Sequence, residues 1–306
     1  MNIDGFEIVR EIHASKRSEV YLAINGETGE QVVLKTPSVN FNDDPEFLNG
    51  FLNEEWIGRR INNPHVLKVH PPGRRRFLYH ITEYLEGQTL RQRMDDLGQM
   101  DLEQMRDCLG QIVSGLRAFH RMEMVHQDLK PDNILISKNG VLKIIDFGST
   151  RIAGVQELNN NPPEAPLGTI NYTAPEYLEG SPGSPRSDIF SLGVIAYEML
   201  TGALPYGDHE QPLPARKLRY RSAREFNPAI PAWIDGALRM ATHPLPEKRY
   251  EVLSEFLQDM TRPNPQLISE TPRPLLERHP LAFWKILATL LVIANIATLL
   301  LWLGSR

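Results

Sequence analysis

Only one cysteine, Cys108, occurs among the 306 residues, which excludes an intrachain disulfide framework and a cysteine-built zinc site and fits a reducing compartment. Charge of either sign is not in large excess. Lys and Arg number 33 against 38 Asp and Glu, for a formal net charge of −5, so no polybasic surface and no nucleic-acid partner are expected. The nine histidines are scattered without a spacing such as H-E-x-x-H, which leaves no zinc site in prospect. No secretory signal is read at Met1 to Arg10, where charge interrupts the apolar residues. Arg74-Arg75-Arg76 are expected in a solvated loop, and Cys108 and His120 as structural helix residues. A hydrophobic content of 41% with 23% charged residues supports one large or two modest globular domains with a proper core.

What the chain does contain is a pair of short motifs. The first runs His126-Gln127-Asp128-Leu129-Lys130-Pro131-Asp132-Asn133, and the second ends Lys143-Ile144-Ile145-Asp146-Phe147-Gly148. A carboxylate at Asp128 and a carboxamide at Asn133 on one short loop can face one pocket, with Lys130 supplying positive charge between them. Asp146 adds a further metal-binding carboxylate. Transfer of a phosphoryl group asks mainly for positioning and for neutralisation of phosphate charge, which Mg²⁺ held by Asp and Asn provides. Ordinary turn chemistry is the alternative reading of these Asp and Asn residues taken singly.

Around the motifs, local patterns mark the elements. Phe6 to Val9, Val20 to Ile24 and Gln31 to Leu34 read as strands, with Asn25-Gly26 and Thr28-Gly29 as turns. Apolar residues at three- and four-residue steps mark a helix over Asp44 to Asn62, which carries Glu54 and Glu55. Val66 to Val69 and Phe77 to Thr82 read as two more strands, and Leu102 to Met122 as a long amphipathic helix. A further helix is expected from Asp188 through Leu200, and the last two over Ile234 to Ala241 and Val252 to Met260. Prolines 263, 265, 272, 274 and 280 favour an extended linker. The run from Leu281 to Leu303 has Lys285 as its only charge, and a helix there at about 1.5 Å per residue is long enough to cross a bilayer core of about 30 Å. Arg273, Arg278 and Lys285 precede this span and Arg306 follows it, so the preceding domain is expected on the cytoplasmic side. Asn295 within it either bonds a second copy, giving a homodimer, or is a tolerated polar residue.

The two motifs, in this order and spacing, resemble those of the eukaryotic-type protein kinase family. The resemblance implies an α+β fold of two lobes, with a small five-stranded antiparallel sheet plus a helix over 6–85 and a larger, mainly helical lobe over 86–260. It leaves 261–280 as linker and 281–303 as the transmembrane helix. It further implies ATP and Mg²⁺ as cofactors and a serine/threonine protein kinase, because Asp-Leu-Lys-Pro-x-Asn is the form of that class. Asp128 then orients or deprotonates the acceptor hydroxyl, Lys130 neutralises charge, and Asn133 and Asp146 bind metal. Lys35 reaches the phosphates and is paired by Glu54, with Glu55 the lesser candidate.

Further roles follow from the same resemblance. The glycine-rich loop of the family falls at His13, Ser15 and Ser18, where no glycine stands, so weaker nucleotide binding is expected, with the hydroxyls of Ser15 and Ser18 as substitute donors. Val20 follows them at the nucleotide. Thr82 gates the pocket, Glu83 to Leu85 offer backbone groups to adenine, and Gly87 lets the chain turn into the second lobe. His126 is expected to hold the catalytic loop by hydrogen bonds, and Asp188 to anchor its backbone. Gln127 replaces the usual arginine, which removes control by phosphorylation of the segment from Ser149 to Pro175. Thr169 matches the threonine that bonds the catalytic Asp and Lys, and Glu176 is expected to pair with Arg249.

In detail the sequence looks most similar to the kinase half of bacterial bifunctional phosphatase/kinase proteins. That likeness makes a separate metal-dependent phosphatase a candidate partner and the bacterial inner membrane the expected location, with only five residues expected before the first strand. A pseudokinase acting as a membrane-tethered docking module is the rival reading, and an aminoglycoside-type phosphotransferase is a third.

Overall fold

The computed structural model describes residues 2–16, 18–38, 44–152, 170–268, 284–285 and 288–291. The first strand begins earlier than expected. Asn2–Ile3 (β1) pairs with Phe6–Ala14 (β2) through a two-residue turn in which Asp4 (φ 48°) and Gly5 (φ 96°) both adopt the left-handed region. This is the turn that Asp-Gly favours between antiparallel strands. The amide of Gly5 also donates to Asn2 Oδ1 at 3.0 Å.

Ser18–Asn25 (β3) and Gln31–Pro37 (β4) follow, then the helix Pro45–Arg60 (α1), Val69–His70 (β5) and His80–Glu83 (β6). The sheet therefore has six strands rather than five, in the order β1-β2-β3-β4-β6-β5, with every pairing antiparallel. Its inner face closes on Ala23, Val32, Leu34, Tyr79 and Ile81. The strands expected over 66–69 and 77–82 are shorter and shifted. Val66 makes a single parallel bridge to Ile144 in the other lobe, and Phe77 is 67% exposed.

Beyond the sheet come Gly87–Thr89 (β7), Leu90–Leu97 (α2), Leu102–His120 (α3), Met124–Val125 (β8), Ile134–Ser137 (β9), Leu142–Ile144 (β10) and Arg151–Ile152 (β11). Helices Pro185–Thr201 (α4), Ala223–Phe226 (α5), Ala232–Ala241 (α6) and Leu253–Thr261 (α7) complete this lobe. The ends of α3 and α4 are set by local chemistry. Asp101 and Gln104 form a reciprocal cap on α3, Ser184 caps α4 ahead of Pro185, and Gly202 closes α4 in the left-handed region.

Helix α4 is apolar on nearly all sides, and its residues from Ser187 to Leu200 are buried except Glu198. A helix of that kind belongs at the centre of a lobe, and α3 and α6 pack against it. Gly87 serves a close approach rather than a turn, since a Cβ there would lie 1.9 Å from Ile136 O across the β7–β9 pairing.

The chain divides into a compact unit, Met1–Leu267, and a second unit, Ile268–Arg306. Most of the expected linker and nearly all of the expected span lie outside the described residues, as does Thr169. Residues 284–285 and 288–291 are helical. Among the described residues no helix is long and apolar enough to cross a membrane.

Candidate active site

The loop between β8 and β9 is held from below by α4. Asp188, 1% exposed, accepts the amides of His126 at 3.0 Å and Gln127 at 3.1 Å, and His120 Nε2 lies 2.8 Å from its Oδ2. Gln127 is in the left-handed region (φ 68°), and its side chain donates to Pro182 O at 2.8 Å. His126 does not hold the loop with its ring. Both ring nitrogens are buried without a partner, and the ring instead meets Phe119 edge-on at 5.5 Å. Packing against Phe119 has replaced the expected hydrogen bonds, and His126 joins the anchor through its backbone amide only.

On this loop the polar groups converge. Lys130 Nζ lies 2.8 Å from Asp128 Oδ2, and the Asn133 amide donates to Asp128 O at 2.9 Å and to Asp128 Oδ2 at 3.0 Å. Because the Asn133 nitrogen is the donor in both bonds, its Oδ1 is left for another partner. Ile145 N donates to Asn133 O at 3.0 Å, tying the segment that carries Asp146 to the loop. Asp146 Oδ1 accepts Gly148 N at 3.0 Å, and its side chain is 42% exposed.

Across the cleft, Lys35 on β4 reaches Glu54 on α1 with 2.8 and 2.7 Å contacts to the two carboxylate oxygens, and its Nζ lies 4.0 Å from Asp146 Oδ1. Desolvation pushes Glu54 up to about 7, with Lys35 pulling down and Asp146 adding to the rise. Desolvation would likewise weaken the Lys35 ammonium, but Glu54 and Asp146 hold its pKa above the ordinary value. Asp146 is held below the usual carboxylate range: its desolvation acts upward, and the Lys35 charge and the Gly148 amide outweigh it.

A divalent cation suits these donors. Asn133 Oδ1 and the carboxylate of Asp146 are hard oxygen ligands, and Mg²⁺ takes one or two carboxylates together with phosphate oxygens. Among the described residues no group of three or more His, Cys, Asp and Glu could hold a metal, a pattern that would mark an all-protein site rather than one shared with phosphates.

The link between β2 and β3 is unlike a glycine-rich loop. Ser15 N and Oγ both donate to Ser18 O, at 2.9 and 3.0 Å, and Ser18 N donates back to Ser15 Oγ at 3.0 Å. Ser38 then donates to Lys16 O at 2.6 Å. The β2–β3 turn is thus bonded to itself and pinned to the end of β4. Val20, half-buried, pairs with Lys35 across β3 and β4. At the hinge, Thr82 is 8% exposed and Glu83 Oε1 receives both Lys143 Nζ and Lys68 N at 2.7 Å. Leu85 continues the chain towards β7.

Several constellations lay outside the sequence reading. Arg74 and Arg76 are exposed on a loop as expected, but the Arg75 side chain turns inward and pairs with Glu55 at 2.8 Å. His80 is 2% exposed and stacks on Phe51 with ring centroids 3.7 Å apart. Arg91, Tyr172 and Glu198 form a bonded triad between α2, the segment before α4, and α4. The partners in the first and last of these are far apart in sequence, so no local pattern signals them.

Two lobes, with a lysine and glutamate pair beside Asp146 on one side and an Asp, Lys and Asn loop on the other, make up this architecture. The chain belongs to the protein kinase family: the "Protein kinase domain" description matches residues 6–267. It is 29% identical over 260 residues to the serine/threonine-protein kinase PrkC of Bacillus subtilis, covering 83% of this chain and 40% of PrkC. It is also 34% identical over 221 residues to PknL of Mycobacterium bovis, covering 72% of this chain and 54% of that protein. Among solved structures, the PknI kinase domain of Mycobacterium tuberculosis superposes with a TM-score of 0.66 at 25% identity, over 85% of this chain and 97% of that one. The chain spans about two fifths of the length of PrkC.

Proposed function

We propose that this chain transfers the γ-phosphoryl group of Mg·ATP to serine or threonine hydroxyls of a protein substrate. The observation that carries the proposal is the convergence of Asp128, Lys130 and Asn133 on one α4-anchored loop, opposite a Lys35–Glu54 pair that also faces Asp146. In this reading Asp128 orients the hydroxyl and accepts its proton. Lys130, already 2.8 Å from that carboxylate, offsets negative charge on the group in transit. Lys35, kept charged and aimed by Glu54, binds phosphate oxygens. Asn133 Oδ1 and Asp146 would hold Mg²⁺, which when bound neutralises and orients the phosphates. Thr82 and the Glu83 to Leu85 backbone border the base.

The apolar run over 281–303 supports a membrane anchor with the kinase on the cytoplasmic side of a bacterial inner membrane, and Asn295 supports a homodimer. The likeness to kinase halves of bifunctional proteins makes a metal-dependent phosphatase a candidate partner. One observation favours the rival docking module: the self-bonded Ser15–Ser18 turn presents no glycine amides to phosphate. The retained set of Lys35, Asp128, Asn133 and Asp146 supports turnover instead.

The deciding measurement is transfer of labelled γ-phosphate to protein acceptors by the full chain, beside Asp128→Asn and Asp146→Asn. Labelled serine or threonine that is lost in both variants is the expected result. A folded chain that binds Mg·ATP and labels no protein would replace the kinase by the docking module.

A further inference from the structure

We infer that Arg75 is a positioning residue that fixes the rotation of α1, so that Glu54 faces Lys35, and that the N-terminal Asp4 turn secures the far end of this tether. The inference rests on the proposed phosphotransfer reading, in which the Lys35–Glu54 pair aims the lysine at phosphate.

Glu54 and Glu55 are adjacent on α1 and each is 6% exposed. Consecutive residues project about 100° apart around a helix of 3.6 residues per turn. One ion pair leaves the helix free to roll about that contact; two pairs in different directions define its rotation. Lys35 takes Glu54 on one side at 2.7 Å, and Arg75 takes Glu55 on the other at 2.8 Å. Phe51, one turn earlier, is stacked on His80 and adds a third contact to the same helix.

A tether works only if its other end is fixed. Arg75 Nη1 also donates to Tyr79 O at 2.7 Å, and Tyr79 is 1% exposed in the sheet core. The Tyr79 hydroxyl donates to Asp4 Oδ2 at 3.3 Å, and the amide of Arg76 donates to the same oxygen at 2.8 Å. The Tyr79 ring meets Phe6 edge-on at 6.2 Å. Asp4 therefore sits in the β1–β2 turn as an acceptor for two groups that flank Arg75 in space. The Arg75 side chain is 21% exposed and that of Glu55 8%, so this pair is largely removed from water, where loss of one partner leaves an uncompensated charge.

The test compares the full chain with Arg75→Met/Glu55→Gln, which removes both charges and leaves none buried alone, with Arg75→Lys, and with Asp4→Ala. Amide hydrogen exchange over Pro45–Arg60 is read beside kcat/KM for phosphate transfer. In the double variant we expect exchange across α1 to rise about tenfold and kcat/KM to fall about tenfold, while amides of β3, β4 and α4 stay protected. Arg75→Lys should restore part of both readouts, and Asp4→Ala should move both in the direction of the double variant by a smaller factor. Unchanged exchange across α1 in the double variant, or an equal rise over the whole sheet, overturns the inference. If the unaltered chain transfers no phosphate, the proposed function fails, and α1 exchange still decides the role of Arg75. Transfer with α1 exchange unmoved leaves the function standing and removes Arg75 from it.

Discussion

Two buried ion pairs of this molecule look alike in sequence and differ in completeness. Arg249 meets Glu176 through two parallel contacts of 2.8 and 2.7 Å, donates to the carbonyls of His243, Pro244 and Arg186, and lies over the Phe190 ring. Its side chain is 0% exposed. Lys35 is 22% exposed, has Glu54 as its close partner, and stands 4.0 Å from a second carboxylate in the cleft. The first pair has its donors satisfied by protein and can only stabilise. The second keeps a charged donor near open space, with Glu54 pushed up to about 7 by burial, an arrangement suited to receiving an anionic ligand.

Substituting each cation tests the contrast most strongly. Lys35→Met should lower phosphate transfer by about 10² to 10⁴-fold while costing less stability than Arg249→Met, because Glu54, already pushed up to about 7 by burial, becomes neutral by taking a proton once the lysine is gone. Arg249→Met should do the reverse in kind, removing about 3–5 kcal/mol of stability, read by urea unfolding, because Glu176 is left buried without its partner. A Lys35 variant that unfolds as readily as the Arg249 variant would erase the distinction.

The open pair also has a titratable neighbour. His80 is pushed down to about 3 by burial and by the charges of Lys35 and Arg75, against an ordinary 6.5. A depressed folded value means that the unfolded chain binds this proton first. The associated stability is present above pH 6.5 and is lost as pH falls from there towards 3. Glu54, pushed up to about 7, acts in the opposite direction over the same range, so the His80 contribution is read as a difference: between about pH 7.5 and pH 5 the unaltered chain should lose about 2 kcal/mol more than His80→Gln. Denaturant midpoints at the two pH values check this directly.

A steric test comes next in size. Gly58 on α1 has no room for a Cβ, which would lie 2.2 Å from Val69 Cγ2 and 3.1 Å from Phe147 Cε2. Gly58→Ala should cost about 1–3 kcal/mol by overpacking and lower transfer, since Phe147 follows Asp146 directly. The smallest effect is expected at the Ser15–Ser18 turn. Ser15→Gly with Ser18→Gly breaks the mutual side-chain bonds, each worth about 1 kcal/mol, and should change the KM for ATP by about threefold with kcat held, as read from initial rates.

Much of the catalytic lobe could be read from the chain, because its signals are local. The groups from His126 to Asn133 lie on one loop, Pro131 sets the tight turn that brings Asn133 back to Asp128, and the caps at Asp101 and Ser184 start their helices. The pairing of Lys35 with Glu54 followed from resemblance and spacing rather than from any local rule. The Asp4-Gly5 hairpin was equally local, yet a two-residue strand carries too little hydrophobic alternation to announce itself. The ring of His126 departs from expectation because a buried imidazole can be held by packing as well as by hydrogen bonds, and sequence does not distinguish them.

By itself the sequence determined most of the longer strands and helices, the chemistry available on the catalytic loop, and the absence of cysteine or histidine patterns for a structural metal. These follow from residue type and short spacing. Only the tertiary structure decided that Arg75 would leave solvent for Glu55, that Ser15 and Ser18 would bond to each other, and that Arg91 would join Tyr172 and Glu198. For Arg75 and Arg91 the reason is that a charged side chain gains most where burial has already stripped water from a partner brought close by folding, and that location is a property of packed lobes. For Ser15 and Ser18 it is the tight β2–β3 turn that brings the two hydroxyls and the Ser18 backbone within reach of one another.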